Sequence, residues 1–175
     1  MYIILNGSFG VGKSTVAREL RRMLPGSCIF DPELMGACLM RFPGYRNSDF
    51  QHLRLWQRLT IRGAKLAGRI RRTVIIPMAF SELEYLREIV AGIETRDRPV
   101  KHYCLTAPLS TIENRLAMRG EVKGDPRWSW VYRRAAECCV AHEDTSFATH
   151  IGTEQDSPRD IAEGIATRLH GTVVV

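Results

Sequence analysis

Two patterns of apolar residues alternate along the chain. Short uninterrupted apolar or β-branched runs predict strands at 2–6, 28–30, 73–77, 100–105 and 147–151. Between these runs, apolar residues recur every three or four positions, which predicts amphipathic helices at 13–24, 32–40, 50–67, 83–93, 110–119, 128–143 and 158–170. This alternation favours right-handed crossovers around a mainly parallel five-stranded sheet with helices on both faces. The predicted fold class is therefore three-layer α/β.

Two stretches interrupt the pattern. Pro43 and Gly44 break the chain after the second predicted helix. Residues 120–127, with the sequence GEVKGDPR, are polar, charged and rich in turn-forming residues. We expect residues 120–127 to form a mobile lid. The chain contains no internal repeat or linker-like tract, so residues 1–175 are expected to form a single domain.

The composition narrows the class of protein. The 175 residues are 45% hydrophobic and 25% charged, which is typical of soluble globular proteins. No apolar run approaches the roughly 18 residues of a membrane span, so we expect a cytoplasmic protein without membrane association. The five cysteines lack metal-ligand spacing and are expected to be reduced thiols.

The net charge of +6 has three interpretations. It suits a protein with an anionic ligand, and it also suits non-specific attraction to nucleic acid or a merely solvated basic surface. The arginine groups at 18–22 and 69–72 lack interleaved aromatic residues, so no nucleic-acid partner is expected.

A phosphate-binding loop lies between the first predicted strand and the first predicted helix. The segment GSFGVGKS fits the pattern GxxxxGK[ST], in which glycines let backbone N–H groups turn towards phosphates. The positive end of the helix that begins near Lys13 favours anions, and the Lys13 ammonium can span the β- and γ-phosphates of ATP. The Ser14 hydroxyl is the expected magnesium ligand. The expected nucleotide-binding residues of this loop are Gly7, Ser8, Phe9, Gly10, Val11, Gly12, Lys13 and Ser14.

Asp31 follows the second predicted strand, at the edge of the sheet where the loop also lies. A carboxylate there can accept a proton from a substrate hydroxyl or hold magnesium through water. Asp31 also precedes Pro32 and Glu33, a common opening of a helix, so a purely capping role is the alternative.

The third predicted strand ends in VIIPMAF, without a carboxylate before Glu82. Nucleotide hydrolases usually present a magnesium-binding acid at this position. Many small-molecule kinases rely instead on the loop, the metal and a carboxylate on the acceptor side. The missing acid therefore favours a kinase over a motor or switch.

Arginines surround the predicted lid. Arg115 and Arg119 share one helix face directly before it, and Arg127 ends it. Arginines that close over a transferred phosphoryl group neutralise its charge and exclude water. We expect Arg119 and Arg127, like Lys13, to be catalytic, and Arg115 and Arg119 to contact the nucleotide, although any exposed helix can carry arginines.

The aromatic residues and histidines give less information about function. Six aromatic residues are candidates either for the walls of an acceptor pocket or for the core: Phe42, Tyr45, Trp56, Phe80, Trp128 and Trp130. The five histidines show no metal-ligand spacing.

Three segments resemble one family: NGSFGVGKST at 6–15, FDPELMG at 30–36 and IIPM at 75–78. Over nearly its whole length the chain resembles the tunicamycin-resistance proteins, a branch of the P-loop small-molecule kinases that is similar to adenylate, gluconate and chloramphenicol kinases. The resemblance implies a nucleoside-monophosphate-kinase-like fold with a lid and an ATP site at 7–15, which adds Thr15 to the loop residues. It also implies an acceptor side near Asp31 and a lid entered by the helix that carries Arg115 and Arg119.

Three functional hypotheses follow. The first is an ATP- and Mg²⁺-dependent kinase that confers resistance by phosphorylating a hydroxyl of tunicamycin, of a related nucleoside or of another small metabolite. The second is a protein that sequesters the drug in an ATP-dependent closed state without chemistry. The third, an ATPase switch acting on a protein partner, is disfavoured by the missing acid of the third strand.

Overall fold

The computed structural model describes residues 1–39 and 53–170. Within these residues the strands are β1 Tyr2–Gly7, β2 Ser27–Ile29, β3 Thr73–Met78, β4 Val100–Thr106 and β5 Thr149–Gly152. The helices are α1 Lys13–Met23, α2 Pro32–Leu39, α3 Arg54–Ile70, α4 Leu83–Ile93, α5 Leu109–Met118, α6 Ser129–Ala141 and α7 Pro158–His170. The predicted break at Pro43 and Gly44 lies outside the described residues.

The strands form one parallel sheet in the order β2-β3-β1-β4-β5. β1 lies at its centre, with Ile3 opposite Ile75 of β3 on one side and Lys101 of β4 on the other. The predicted α/β class with a parallel five-stranded sheet is confirmed. Because parallel strands all end at the same edge, the segments after β1, β2, β3 and β4 converge there.

Pro77 lies near the end of β3, an interior strand, where a missing N–H would normally cost a ladder hydrogen bond. The N–H of Val74 donates to Met1 on the β1 side, whereas the carbonyl of Ile75 accepts from Phe30 on the β2 side. Alternate residues of a parallel strand bond to opposite neighbours, so Pro77 faces the β2 side. β2 ends at Ile29, opposite Ile75, so proline is accommodated there.

Apolar side chains on both faces of the sheet form two core clusters. Ile3 and Leu5 of β1 pack into one cluster with residues of α1, α5, α6 and α7. Tyr2 and Ile4 point the opposite way, into a cluster with residues of α3 and α4. This alternation follows from the two-residue period of a strand, and burial on both faces explains the uninterrupted apolar runs.

The last strand begins two residues later than its apolar run predicts. Residues Thr145–Phe147 form a 3₁₀ turn, in which the Asp144 side chain accepts a hydrogen bond from the Ser146 N–H. The turn buries the Phe147 ring, so β5 starts only at Thr149. An apolar residue that packs from a turn cannot be distinguished by sequence from one that packs from a strand.

Candidate functional site

The phosphate-binding loop joins β1 to α1 at the carboxyl edge of the sheet, and glycines are required at two of its positions. A Cβ on Gly7 would lie 2.7 Å from the Leu105 carbonyl oxygen, so the loop can pass β4 closely only without a side chain. Gly12 caps α1 with φ of 108°, a left-handed conformation that side chains disfavour. These two positions turn the chain sharply from strand into helix.

Lys13 is the buried cation of the loop. Its side chain is 7% exposed, and its Nζ donates a hydrogen bond to the Ser8 carbonyl oxygen at 3.0 Å. The same nitrogen lies 5.5 Å from the centre of the Phe9 ring. The acceptor of the Lys13 ammonium is therefore neutral, and an anionic phosphate oxygen would be a stronger one.

A small cavity of about 150 Å³ opens at the loop and the first turn of α1. It is lined by Phe9, Gly10, Gly12, Lys13, Ser14, Thr15, Glu33 and Arg119. Within it the positive end of α1, the Lys13 ammonium and the Arg119 guanidinium share one space, which suits a polyanion. The structure thus brings together six of the nine predicted loop residues and one predicted arginine.

A second cavity of about 380 Å³ adjoins the first and shares Gly10, Gly12, Thr15 and Arg119 with it. Its far side is formed by the segment between β5 and α7 and by the start of α7, including Thr153, Asp156 and Pro158. Arg119 lies at the junction of the two cavities and pairs with Glu121 at 2.9 Å. Its side chain is 53% exposed, so it can leave Glu121 for a ligand at small cost.

Arg115 holds the loop in place from α5. Its guanidinium donates to the Val11 carbonyl at 3.2 Å, to the Thr153 hydroxyl at 3.0 Å and to the Thr153 carbonyl at 2.6 Å. These bonds join the phosphate-binding loop to the segment after β5. Arg115 lines the larger cavity, but its contacts are those of a positioning residue, and the predicted nucleotide contact stays a prediction.

Arg127 lies away from both cavities in this conformation. Its guanidinium pairs with Asp125 at 2.6 Å, and its side chain is 79% exposed. Between Arg119 and Trp128 the chain forms only turns. A catalytic role for Arg127 requires this segment to close, and both the lid and that role stay predictions.

Asp31 and Glu33 lie at the start of α2, and only Glu33 is among the residues that line the small cavity. Oδ1 of Asp31 accepts the Glu33 N–H at 2.9 Å, as in the capping alternative considered for Asp31. Glu33 lines the small cavity beside Lys13 and Ser14. Burial raises the pKa of the Glu33 carboxyl, and the nearby Lys13 ammonium opposes that rise.

Sequence reasoning missed Glu33 because an acidic residue in the first turn of a helix is ordinary there. The available signal was its spacing. Glu33 follows Asp31 by two residues at the end of β2, where side chains converge on the site.

Asn6, the penultimate residue of β1, joins β1 to the segment after β3. Its Oδ1 accepts the Phe80 N–H at 2.8 Å, and its Nδ2 donates to the Phe80 carbonyl at 3.2 Å. Nε2 of His142 lies 2.6 Å from the same carbonyl, to which it donates when it carries the ring proton, and 3.2 Å from Nδ2 of Asn6. These bonds fix the backbone beyond β3 at the edge of the site.

Helix α6 is tied to the loop and to the segment after β3. The Ser8 hydroxyl donates to the Ala135 carbonyl at 3.1 Å. Arg134, 7% exposed, donates from Nη1 to the Ser81 hydroxyl at 3.0 Å. A movement of the segment that precedes α6 would therefore also displace the phosphate-binding loop, through the bond between Ala135 and Ser8.

The aromatic candidates divide between core and site. Trp56 and Phe80 are buried against each other with ring centres 5.8 Å apart, so the core interpretation holds for them. Trp130 of α6 meets the loop residue Phe9 edge to face at 5.4 Å, and half-buried Trp128 packs against the core. The predicted pocket walls Phe42 and Tyr45 lie outside the described residues.

Comparison with known proteins identifies the family. A family model described as an AAA domain matches residues 3–128, and the chain belongs to that family. The structure of the tunicamycin resistance protein of Deinococcus radiodurans is 32% identical and superposes with a TM-score of 0.74, covering 96% of this chain and 94% of that one. The chain belongs to the tunicamycin-resistance family. The family expected from NGSFGVGKST, FDPELMG and IIPM is thereby confirmed.

Two kinases share the fold of this member of the tunicamycin-resistance family. Shikimate kinase from Acinetobacter baumannii in complex with shikimate is 16% identical, with a TM-score of 0.63 and coverage of 99% and 95%. A gluconokinase from Sinorhizobium meliloti 1021 is 14% identical, with a TM-score of 0.64 and coverage of 99% and 97%. The kinase-like P-loop fold is therefore established.

No curated protein sequence matches the chain significantly. Across residues 1–39 and 53–170, no helix has the length and apolarity that a membrane crossing requires.

Proposed function

We propose that the chain is an ATP-dependent phosphotransferase that transfers the γ-phosphoryl group to a hydroxyl of tunicamycin or a related nucleoside. The small cavity of the phosphate-binding loop carries this proposal, because Lys13, Ser14 and Arg119 line it together with an acidic residue of α2. Similarity to the Deinococcus radiodurans tunicamycin resistance protein supports the choice of acceptor.

Different parts of the site would bind the phosphates, the nucleoside and the magnesium ion of the nucleotide. The loop amides and the N-terminus of α1 bind the β- and γ-phosphates, and Lys13 exchanges the Ser8 carbonyl for a phosphate oxygen. The larger cavity beside the loop receives the nucleoside end of ATP. Magnesium, with Ser14 as a ligand, supplies positive charge to the phosphates when bound.

Asp31 receives the proton of the acceptor hydroxyl. Its Oδ1 already accepts the Glu33 N–H, which orients the carboxylate. As the hydroxyl oxygen bonds to the γ-phosphorus, the bond from that phosphorus to the β,γ-bridging oxygen breaks, and ADP leaves. Arg119, and Arg127 once the lid closes, stabilise the charge on the transferred group.

The test is ADP formation measured with and without tunicamycin. Transfer predicts ADP only when the acceptor is present, and none from Lys13→Ala, while Lys65→Ala on the exposed face of α3 retains it. Binding of tunicamycin without ADP formation would indicate sequestration instead. ADP formation that does not depend on any acceptor would indicate an ATPase.

A further inference from the structure

Glu33 is a half-buried residue whose carboxylate group is largely removed from water. Its carboxylate accepts a hydrogen bond from the backbone N–H of Ala79, directly after β3. The Oε1 atom is buried and has no hydrogen-bond partner among residues 1–39 and 53–170. An unsatisfied carboxylate oxygen away from water is costly, which indicates that a ligand completes it.

The neighbouring cation does not fill this role. Lys13 lies close enough to influence Glu33, but its Nζ donates to the Ser8 carbonyl. In the proposed complex Lys13 is committed to phosphate. Arg134 also acts on Glu33, but its Nη1 donates to Ser81 and Glu137, and Arg119 of the same cavity pairs with Glu121. A bound cation would add positive charge directly between the phosphates and Glu33.

The position of Glu33 explains the missing acid of the third strand. β3 ends in Pro77 and Met78, without a carboxylate at the place where nucleotide hydrolases present one. The bond to the Ala79 amide holds the Glu33 carboxylate at this same end of β3. Helix α2 thus places a carboxylate, that of Glu33, at the end of β3, where the strand itself has none.

We propose that Glu33 is the protein carboxylate of a magnesium site, which it forms with the Ser14 hydroxyl and the phosphates of the bound nucleotide. Both side chains line the same cavity of about 150 Å³. Magnesium prefers oxygen ligands, keeps several waters and is usually bound by one or two carboxylates together with substrate phosphates. The orphaned Oε1 and the Ser14 hydroxyl fit that ligand set. Asp31, whose Oδ1 caps α2, is left to the acceptor.

The assignment rests on the proposed nucleotide site, and it is tested by binding rather than by turnover. Calorimetry measures the affinity for a non-hydrolysable ATP analogue, with Mg²⁺ and with EDTA, in the wild type, Glu33→Gln and Asp31→Asn. In the wild type, Mg²⁺ should tighten binding. In Glu33→Gln this enhancement should fall by at least about tenfold while metal-free affinity is retained or improved, because a negative charge near the phosphates is removed. Asp31→Asn should keep the enhancement.

Spectroscopy of the bound metal ion complements the calorimetric comparison of the wild type with Glu33→Gln. Mn²⁺ in place of Mg²⁺, followed by electron paramagnetic resonance, should show an immobilised ion in the wild-type complex with the analogue and a weakly held ion in Glu33→Gln. Thermal unfolding of the unliganded variants checks the fold. If Glu33→Gln fails to fold, Glu33→Asp, which keeps the charge but shortens the side chain, should lose the enhancement.

The outcomes separate the two proposals. If the wild type shows metal-enhanced binding and Glu33→Gln keeps it in full, or Asp31→Asn loses it instead, the assignment of Glu33 is wrong. If the wild type binds no nucleotide under either condition, the proposed function itself fails.

Discussion

At the scale of single residues, Asp31 and Glu33 show how two neighbouring carboxylates can receive different roles. Asp31 caps its own helix through Oδ1, whereas Glu33 lies beside Lys13 with Oε1 buried and without a partner in the described part of the chain. A carboxylate with water access can exchange protons with a substrate, and a buried one is better suited to holding a cation. The contrast lies in their surroundings, since both are acids at the start of one helix.

Replacing Asp31 with Asn tests the first of these roles. The amide oxygen can still accept the Glu33 N–H, so the start of α2 and the nucleotide affinity should be preserved. The base is lost, and the rate of phosphoryl transfer should fall by about 100-fold or more. Calorimetry and a steady-state assay measure the two quantities, and transfer at the normal rate would show that Asp31 is not the base.

At the scale of secondary-structure elements, close packing limits which glycines can change. Gly68 of α3 is buried against Tyr2, and an added Cβ would meet the Tyr2 hydroxyl and lie 3.1 Å from Cζ of its ring. Gly164 of α7 is exposed, with no atom within 4 Å of such a Cβ. Gly68 is therefore needed for the close packing of α3 against Tyr2, whereas Gly164 makes no such contact.

Substituting each of these glycines with Ala forms a matched pair. Gly68→Ala should lower the free energy of unfolding by about 1–3 kcal/mol, because the Tyr2 ring must shift. Gly164→Ala should raise it by about 0.5–1 kcal/mol, because alanine restricts the unfolded chain and favours helix. Urea unfolding measures both. Equal effects of the same sign would contradict the packing of α3 on β1.

The elements were largely predictable, whereas their mutual contacts were not. The strands Tyr2–Gly7 and Thr73–Met78 can be recognised in the sequence because a strand buried on both faces is apolar over most of its length. The bond from Ser8 to Ala135 joins residues 127 positions apart, and no local pattern encodes it. Glu33 looks like an ordinary first-turn acid in the sequence, and its contact with Ala79, directly after β3, appears only in the folded chain.

At the scale of the whole molecule, buried histidines couple stability to pH. Burial lowers the pKa of His102 to about 4, with a further contribution from the charge of His142. Burial likewise lowers the pKa of His142 to about 4, although its hydrogen bond to Phe80 opposes the change. Both are neutral in the folded protein near pH 7, and Nε2 of His142 donates to a carbonyl in that form.

The sign of the pH dependence follows from these shifts. The unfolded chain binds protons at both histidines below about pH 6.5, whereas the folded chain does so only near pH 4. The contribution of the two histidines to stability should therefore be lost between pH 6.5 and 4, by roughly 3 kcal/mol per histidine. Urea unfolding between pH 6.5 and 4 should show that the free energy of unfolding falls less steeply with decreasing pH in His102→Leu than in the wild type. An unchanged slope in that variant would contradict the assignment.

The fold as a whole places a nucleotide loop, a buried lysine and two carboxylates at one edge of a parallel sheet. The fold is shared with two kinases of small molecules, and the similarity to the tunicamycin resistance protein supports the proposed acceptor. Mass spectrometry of tunicamycin after incubation with the protein, ATP and Mg²⁺ tests the central claim most directly. We predict that the drug gains one phosphoryl group, and that it gains none with Lys13→Ala. Recovery of unmodified tunicamycin from a protein that binds both ligands would contradict phosphoryl transfer.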